Sequence, residues 1–328
     1  MLKGLKNFID FLESHEKFII TTHESPDGDA IGSAIAFNEF LKQKGKKTII
    51  LNSDPTPDNF KFIDIDNEVI VAETDYNLPE DIEKYGHFVL DTNDYNNIGS
   101  VYFLLKDKIN DRFIIDHHES EGTLADSNFI KVGISSVSEI IYELFDHFKL
   151  KLSFKSSQAI FAGMVFDTGS FRYPITSPQT LRIAADCVEH GVVPFNVYEQ
   201  IWEQNSLSGF ELKSLILSTM EIYCDGKMIS MKLTPDMIKQ TKASFAEGET
   251  SINLPLTVKG VVLSILVKQN IDGPVKVSMR SKGNINVAEI AILNGGGGHK
   301  NAAGFKSNMP YEETYDYIID TLTRLFEK

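Results

Sequence analysis

The 328-residue sequence lacks the usual marks of secreted and membrane proteins. Its two cysteines, Cys187 and Cys224, offer neither a disulfide framework nor a zinc-binding pattern, which favours a reducing compartment. No apolar run approaches the roughly 18 residues of a membrane span. Near the amino terminus, Asp10, Glu13 and Glu16 interrupt any signal-peptide core, and no small-residue cleavage site follows. We therefore expect a cytoplasmic protein without a membrane partner.

Positive charge is also scarce. The chain has 32 Lys+Arg against 46 Asp+Glu, a formal net charge of −14. Residues 216–328 are nearly balanced, with 13 basic and 12 acidic residues, so the negative charge lies in residues 1–215. Because long nucleic-acid duplexes are bound by basic surfaces, we expect no such partner. An acidic half is compatible with bound divalent cations, and equally with a charge that only keeps the protein soluble.

Apolar strand-like runs alternate with amphipathic helical runs over the first ~190 residues. The predicted strands are 18–22, 47–51, 68–72, 86–90 and 112–115, and the predicted helices include 29–44, 135–149, 155–166 and 178–190. This alternation predicts an α/β fold, a mostly parallel sheet wrapped by helices.

The pattern restarts at about residue 216. It predicts strands near 218–223, 227–232, 261–269 and 275–281, a helix at 286–293, a glycine loop and a final helix near 311–326. We therefore expect a catalytic domain in 1–190, bridging helices in 191–215 and a smaller α/β domain in 216–328.

Polar side chains of the metal-ligand type follow four apolar segments. They are His23, Asp27 and Asp29 after 18–22, Asp91 after 86–90, Asp116, His117 and His118 after 112–115, and Asp167 after 161–166. Open α/β sheets bind ligands at the carboxyl ends of their strands. These segments therefore predict one metal site assembled from distant parts of the chain.

Single residues of this set also have structural interpretations. Asp27 is a good cap for the helix that follows it, Asp91 could begin an Asx turn, and Asp167 could end a helix beside Gly169. Neither a turn nor a cap requires His23, however. The metal hypothesis therefore depends on the whole set and not on one member.

Two adjacent histidines after an apolar strand have little structural rationale. Extended backbone sends successive side chains to opposite sides, so we expect His117 and His118 not to bind one ion together. One would be a ligand, and its neighbour would face the substrate.

Within this set, Asp27, Asp29, Asp91 and Asp167 carry four negative charges, which balance two divalent ions, and His23 and His117 are neutral donors. Mixed oxygen and nitrogen ligands suit manganese, with magnesium, iron and zinc as alternatives. Two such ions ~3.5–4 Å apart can activate water and clamp the attacking and leaving oxygens of a phosphoryl group. This chemistry is hydrolysis without a protein nucleophile.

The second domain contains four consecutive glycines, Gly295–Gly298, followed by His299. Each glycine costs conformational entropy on ordering, so the run suggests close approach of backbone to a ligand, often phosphate. It is neither a Walker loop nor a dinucleotide fingerprint. Ser278 and Arg280 share one face of the predicted strand 275–281, although a lone arginine is more often a solvated charge.

Taken together, these motifs resemble those of the DHH phosphoesterase superfamily. The resemblance rests on His23-x3-Asp27-x-Asp29, Asp91, Asp116-His117-His118 and Asp167 in the first domain. In the second domain, the Gly295–His299 loop, Ala302–Gly304 and Ser278-x-Arg280 resemble the associated domain of the oligoribonuclease-type subfamily. The resemblance spans nearly the whole chain.

The resemblance implies a two-domain enzyme with two manganese ions and an active site in the interdomain cleft. One ion would be held by His23, Asp27 and Asp91, and the other by Asp29, Asp91, His117 and Asp167. Asp116 would orient the imidazoles, and His118 would contact the scissile phosphate and assist proton transfer. The residues that would bind the rest of the substrate are Ser278, Arg280, Gly296, Gly297, Gly298, His299 and Asn301.

Similar proteins cleave very short RNAs, release phosphate from 3′-phosphoadenosine 5′-phosphate (pAp), or degrade pApA and cyclic di-AMP. We therefore expect a hydrolase of short 5′-phosphorylated oligoribonucleotides, with pAp and cyclic di-AMP as further substrates; an acidic surface favours a small substrate. The alternatives are an inorganic pyrophosphatase or exopolyphosphatase, and a nucleotide sensor without catalysis. A homodimer is the commonest symmetric assembly, but the sequence identifies no interface.

Overall fold

The computed structural model describes residues 4–73, 76–118 and 128–326. It divides into two compact units, unit 1 (Met1–Gln204) and unit 2 (Asn205–Lys328). The division falls within the segment 191–215, where the structure has two helices, and the assignment of this segment as a linker stays a prediction. Within the described ranges, none of the helices combines the length and the apolarity needed to cross a bilayer.

Unit 1 contains a six-stranded, parallel sheet in the order β3-β2-β1-β4-β5-β6. The strands are β1 Lys17–Thr22, β2 Lys47–Asn52, β3 Val69–Val71, β4 Tyr85–Leu90, β5 Arg112–Asp116 and β6 Phe129–Ile130. The helices are α1 Leu5–Ser14, α2 Gly28–Gln43, α3 Ser100–Leu105, α4 Val137–His147, α5 Phe154–Asp167, α6 Pro178–Glu189 and α7 Pro194–Trp202. The predicted α/β class is confirmed.

The central strands of this sheet are buried on both faces. Every residue of β4 is buried, as are Phe18, Ile19 and Ile20 of β1. Such strands appear in the sequence as continuous apolar runs because helices cover both faces of a parallel sheet. The helix α1, which the sequence analysis did not predict, places Phe8 among the rings of this core, 5.8 Å from that of Phe88.

The strand order changes direction between β1 and β4. The chain moves outward from β1 through β2 to β3, and then returns to β4 on the other side of β1. At such a switch point, the connections that leave two neighbouring strands diverge and open a crevice at their carboxyl ends. His23 follows β1 directly, and Asp91 follows β4 directly. The topology therefore places both residues at the rim of this crevice.

Unit 2 contains a mixed six-stranded sheet in the order β11-β12-β10-β9-β8-β7. β8 and β9 are parallel, and the other neighbours are antiparallel. The strands are β7 Glu221–Tyr223, β8 Met228–Leu233, β9 Leu263–Gln269, β10 Val275–Ser281, β11 Gly297–His299 and β12 Ala302–Ser307. The helices are α8 Leu207–Ser218, α9 Pro235–Thr241, α10 Phe245–Glu249, α11 Val287–Leu293 and α12 Tyr311–Thr323.

Two expectations for unit 2 are wrong. The glycine run is only partly a loop, because Gly297–His299 pairs with β12 as an edge strand. The strand predicted near 218–223 is present, but its start is wrong: it begins at Glu221, because α8 continues through Ser218. The predicted alternation of β10 is confirmed: Val275, Val277 and Met279 are buried, and the residues between them are partly exposed.

His87, in the middle of β4, links stability to pH. Its Nε2 lies 2.9 Å from Thr21 Oγ1, and its buried Nδ1 has no hydrogen-bond partner in the described part of the chain. Burial, assisted by the charge of Arg112, lowers the pKa of His87 to about 3. The unfolded pKa is about 6.5, so the folded state keeps the ring neutral where the unfolded chain binds a proton.

We expect this residue to make the free energy of unfolding fall by about 1.4 kcal/mol per pH unit as the pH drops from about 6 to about 4. Its full contribution is present above pH 6.5 and is lost towards pH 3. When the free energy of unfolding is measured by urea denaturation and plotted against pH, the slope should therefore be smaller for His87→Gln than for wild type. The exposed His190→Gln is the control, and equal slopes for His87→Gln and wild type would contradict the prediction.

Candidate metal centre

The loop after β1 presents His23 and Asp27 to the crevice. His23 Nδ1 donates to the carbonyl oxygen of Glu24 at 2.8 Å, which turns Nε2 towards the carboxylates. Asp27 caps α2, since its Oδ1 accepts from the backbone N–H of Asp29 and Ala30. The structural interpretation of Asp27 is therefore correct, but it does not remove the residue from the site. His23 Nε2 lies 3.9 Å from Asp27 Oδ1.

Two neighbouring loops hold this segment in place. Ser25 has a left-handed backbone (φ 52°), and its N–H donates to Asp54 Oδ2 at 2.8 Å. The N–H of Glu24 donates to the carbonyl oxygen of Asn97 at 2.6 Å. The loop that contains His23 and Asp27 is thus tied to the loops that follow β2 and β4.

Asp91 occupies the centre of the cluster. It is 3% exposed, and its N–H donates to the carbonyl oxygen of Ile115 at 3.1 Å. Its backbone is left-handed (φ 61°), a conformation that aspartate adopts more readily than most residues. Its Oδ2 lies 3.5 Å from His23 Nε2, and its Oδ1 lies 3.5 Å from His117 Nε2. One carboxylate therefore faces two imidazoles.

The second half of the cluster comes from β5 and two helices. His117 Nδ1 donates to the carbonyl oxygen of Ile134 at 3.3 Å, and its Nε2 lies 3.2 Å from Asp167 Oδ2 at the end of α5. Asp29, in the first turn of α2, is fully buried. Its two carboxylate oxygens accept the N–H groups of Val137 (2.6 Å) and Ser138 (2.9 Å), which begin α4.

The candidate ligand atoms form three groups among the described residues, each with all of its atoms within 4.8 Å of one another. The groups are His23, Asp27 and Asp91; Asp29, Asp91, His117 and Asp167; and Asp91, His117 and His118. The first two have the membership that the family resemblance implies for two ions, and Asp91 belongs to both.

The expectation that the two histidine side chains point to opposite sides is wrong. The ring centroids of His117 and His118 are only 4.4 Å apart. The strand ends at Asp116, so the alternation of extended backbone does not continue through the pair. His118 Nδ1 donates to Oδ1 of the fully buried Asp116 at 2.8 Å, and the ring of His118 is half-exposed.

Charge crowding shifts the ionisation of the cluster. Burial opposes the protonation of His117, but the carboxylates of Asp167 and Asp91 outweigh it and raise its pKa to about 12. Burial also opposes the protonation of His23, but the carboxylate of Asp91 outweighs it and raises the pKa of His23 to about 9. Burial and the repulsion of Asp91 raise the pKa of Asp27 to about 6 and that of Asp29 well above its usual range. Without a cation, protons take up the negative charge.

The donor set fits a divalent cation. Asp91 Oδ1 and His117 Nε2 are buried and make no well-aligned hydrogen bond in the described part of the chain, although His117 Nε2 lies 3.2 Å from Asp167 Oδ2. A buried polar atom without a partner is costly, and these two atoms face each other at 3.5 Å within the cluster. Carboxylate oxygens and imidazole nitrogens without sulfur are the ligands of manganese, magnesium, iron and zinc.

Glycines bring the ligand-bearing helices together, which the sequence analysis missed. A Cβ atom on Gly163 of α5 would lie 2.1 Å from Ser138 Oγ and 2.7 Å from Asp29 Oδ1. A Cβ atom on Gly32 of α2 would lie 2.4 Å from the carbonyl oxygen of Ala159. A glycine inside a helix costs about 1 kcal/mol relative to alanine and so needs a packing reason. The presence of glycine inside two predicted helices, despite this cost, was the sequence signal that could have revealed the close packing.

The predicted substrate-binding residues lie in unit 2. Ser278 and Arg280 share the less buried face of β10, and Arg280 Nη1 donates to the carbonyl oxygen of Met279 at 3.0 Å. His299 is exposed at the end of β11. Asn301 Nδ2 donates to Ser281 Oγ at 2.9 Å, which stabilises the segment before α11.

Within the glycine run, Gly296 and Gly298 are required by the approach of β12. Their Cβ atoms would lie 2.2 Å from the carbonyl oxygen of Gly304 and 2.5 Å from that of Ala302. Gly297 has open space instead. The close backbone approach that the sequence suggested is therefore, at two of the positions, an approach to this chain's own strand.

We expect Gly163→Ala to weaken Mn²⁺ binding about 10- to 100-fold, because the added methyl group displaces Asp29 and the start of α4. Overpacking should also lower the free energy of unfolding by about 1–3 kcal/mol. Ile160→Val on the same helix is the control, since it changes a buried core residue that is not a candidate ligand and costs about 0.5–1.5 kcal/mol of stability. Calorimetric titration of wild type and both variants makes the comparison, and equal Mn²⁺ affinity for Gly163→Ala would refute this role.

The sequence matches two family models. Residues 17–164 match the DHH family, N-terminal domain, and residues 240–328 match the DHHA1 domain. The first range includes the strands of the parallel sheet and five of the six candidate ligands. The second includes β10 and the glycine run.

Curated relatives align along most of the chain. A bifunctional oligoribonuclease and PAP phosphatase NrnA of Thermus thermophilus is 27% identical over 314 residues, which cover 93% of this chain and 90% of the relative. The protein of the same description from Bacillus subtilis is 27% identical over 304 residues, 88% of this chain and 89% of the relative.

Solved structures share the fold. An exopolyphosphatase-related protein from Bacteroides fragilis superposes with a TM-score of 0.87 at 24% identity, over 99% of this chain and 98% of that one. Exonuclease RecJ bound to manganese gives a TM-score of 0.54 at 13% identity, over 100% and 95% of the two chains. These structures show the shared fold, and the two family matches show that the chain contains a DHH N-terminal domain and a DHHA1 domain.

Proposed function

We propose that the protein is a metal-dependent phosphodiesterase and phosphatase that hydrolyses short 5′-phosphorylated oligoribonucleotides such as pApA, with pAp and cyclic di-AMP as further substrates. The observation that carries this proposal is the convergence of six ligand-type side chains around the buried carboxylate of Asp91. Relatives that are described as bifunctional oligoribonucleases and PAP phosphatases support the substrate class.

The proposed cofactor is a pair of Mn²⁺ ions, which would supply Lewis acidity and lower the pKa of water. His23, Asp27 and Asp91 would hold one ion. The other would be held by Asp29, Asp91, His117 and Asp167. The half-buried or buried position of each side chain fixes its orientation before an ion binds.

The chain's own residues would position and protonate the substrate. Asp116 holds the ring of His118 through Nδ1, which leaves Nε2 to bind the scissile phosphate and to pass a proton to the leaving oxygen. In unit 2, Arg280, Ser278 and His299 would bind another phosphate or a sugar of the substrate. Gly297 has space for a ligand to approach its backbone closely.

A substrate panel tests the proposal. With Mn²⁺ present, we expect wild type to hydrolyse pApA and pAp faster than a 24-nucleotide RNA, because the acidic surface repels a long polyanion. The Asp116→Ala/His117→Ala variant should lose activity, and His190→Ala should keep it. Faster cleavage of the 24-nucleotide RNA would contradict the proposal, as would phosphate release from pyrophosphate or polyphosphate alone.

Metal binding should release protons. Without an ion, His117 and His23 have pKa values of about 12 and about 9, so both are protonated at pH 7 and must lose a proton to become ligands. We therefore expect Mn²⁺ affinity to rise with pH between 6 and 9. Calorimetric titrations in buffers of different ionisation enthalpy should show that about one proton or more is released for each ion bound. The His23→Gln variant should release fewer protons. An apparent binding enthalpy that does not depend on the buffer would be incompatible with this site.

A further inference from the structure

Three lysines form a row across the sheet of unit 2. Lys276 of β10 pairs in register with Lys268 of β9 on one side and with Lys306 of β12 on the other. Directly paired residues project from the same face of a sheet, with Cβ atoms about 4.5–5.5 Å apart. Like charges in these positions repel each other, so the row is unfavourable unless anions offset it.

The lysine row lines a pocket of about 440 Å³ together with Glu249, Ser278 and the backbone around Gly296. Glu249 Oε1 lies 2.5 Å from Lys268 Nζ and neutralises one of the three charges. It is the only acidic residue lining this pocket in the described part of the chain. A surplus of two positive charges therefore remains at Lys276 and Lys306.

An aromatic ring borders the row. The ring centroid of Phe245 lies 6.0 Å from Lys268 Nζ and 5.8 Å from Lys276 Nζ. Positive side chains beside an aromatic face are the combination that proteins use to bind the backbone and the bases of single-stranded nucleic acid. The chemistry of the pocket thus fits a nucleotide phosphate better than an uncharged ligand.

The row lies on the same sheet face as the predicted substrate residues. Lys276, Ser278 and Arg280 alternate with the buried residues of β10. Four residues of a strand span about 13 Å, which separates Lys276 from Arg280 along β10. A stacked single strand advances about 3.4 Å per nucleotide, so this distance corresponds to about four stacked steps, or fewer steps of an extended strand.

We propose that the lysine row is a subsite for backbone phosphates beyond the second nucleotide of an oligoribonucleotide. The inference rests on the proposed function and deepens it, because it assigns a length preference to the protein. Substrates of about three to five nucleotides gain binding energy from Lys276 and Lys306. With Arg280 on the second phosphate, the row is left for further phosphates, which pAp and pApA do not have. Longer RNA extends beyond the pocket and gains no further contact with these two lysines.

The test compares Lys276→Gln/Lys306→Gln with wild type and with the control Lys239→Gln/Lys259→Gln, which removes two lysines elsewhere in unit 2. Lys268 is left unchanged because it is buried and paired with Glu249. For a 5′-phosphorylated pentanucleotide, we expect KM to rise about tenfold with little change in kcat. For pApA and pAp, both parameters should stay within about twofold of wild type.

The salt dependence of oligonucleotide affinity is a second measurement, and it would not change if the two lysines had only a structural role. The slope of log affinity against log salt for a fluorescent pentanucleotide should become shallower by about 0.7 for each lysine removed. Unchanged affinity and slope would overturn the subsite, as would an equal loss for pApA and the pentanucleotide. If wild type hydrolysed no nucleotide at all, the proposed function itself would fail, which is a different result from a panel in which only the length effect is missing.

Discussion

The structure of unit 1 depends on the way in which the buried carboxylate of Asp91 is balanced. Its two oxygens each face an imidazole nitrogen, and further carboxylates lie close by. Such an arrangement is unfavourable in a low-dielectric interior unless protons or cations compensate it. The loops that hold the cluster in place are therefore needed for more than connecting strands. The hydrogen bonds of Ser25 and Glu24 to neighbouring loops fix groups that would otherwise move apart.

Helix packing solves a second part of the same problem. Asp29 and Asp167 belong to helices that lie far apart in sequence, and their carboxylates can meet only if the helices approach closely. Gly163 and Gly32 remove the side chains that would prevent this approach. The N-terminus of α4 then supplies two N–H donors to Asp29, and its dipole favours the negative charge there. Close packing and local electrostatics thus act together on the same ligand.

Much of this arrangement could be predicted from the sequence. Parallel strands that are buried on both faces are visible as apolar runs, and the carboxyl ends of such strands meet at one edge. The proximity of His23, Asp91 and His117 follows from that rule alone. The orientation of His118 did not follow, because it depends on where β5 ends. The contribution of Gly163 was also missed, since a glycine in a helix does not reveal which atoms approach it.

The lysine row was equally hidden. Lys268, Lys276 and Lys306 become neighbours only through the pairing of three strands, and β12 was not among the predicted strands. Strand register cannot be read from single segments when the partner strand is unknown. In physical terms, the sequence shows which residue types follow each strand, whereas tertiary pairing decides which side chains share a surface.

Asp29 is both a candidate metal ligand and the acceptor for the N–H groups at the start of α4, which has a consequence for inactive proteins of this fold. An asparagine at position 29 would replace one acceptor oxygen with an NH₂ donor, which would face the N–H groups at the start of α4. The structure therefore does not tolerate the conservative exchange of aspartate for asparagine. Selection for folding alone would then retain this aspartate after catalysis had been lost. Its presence in a homologous chain is therefore poor evidence of turnover. Asp167 is the more informative marker, because its carboxylate accepts no comparable backbone N–H within the part of the chain that the structure describes.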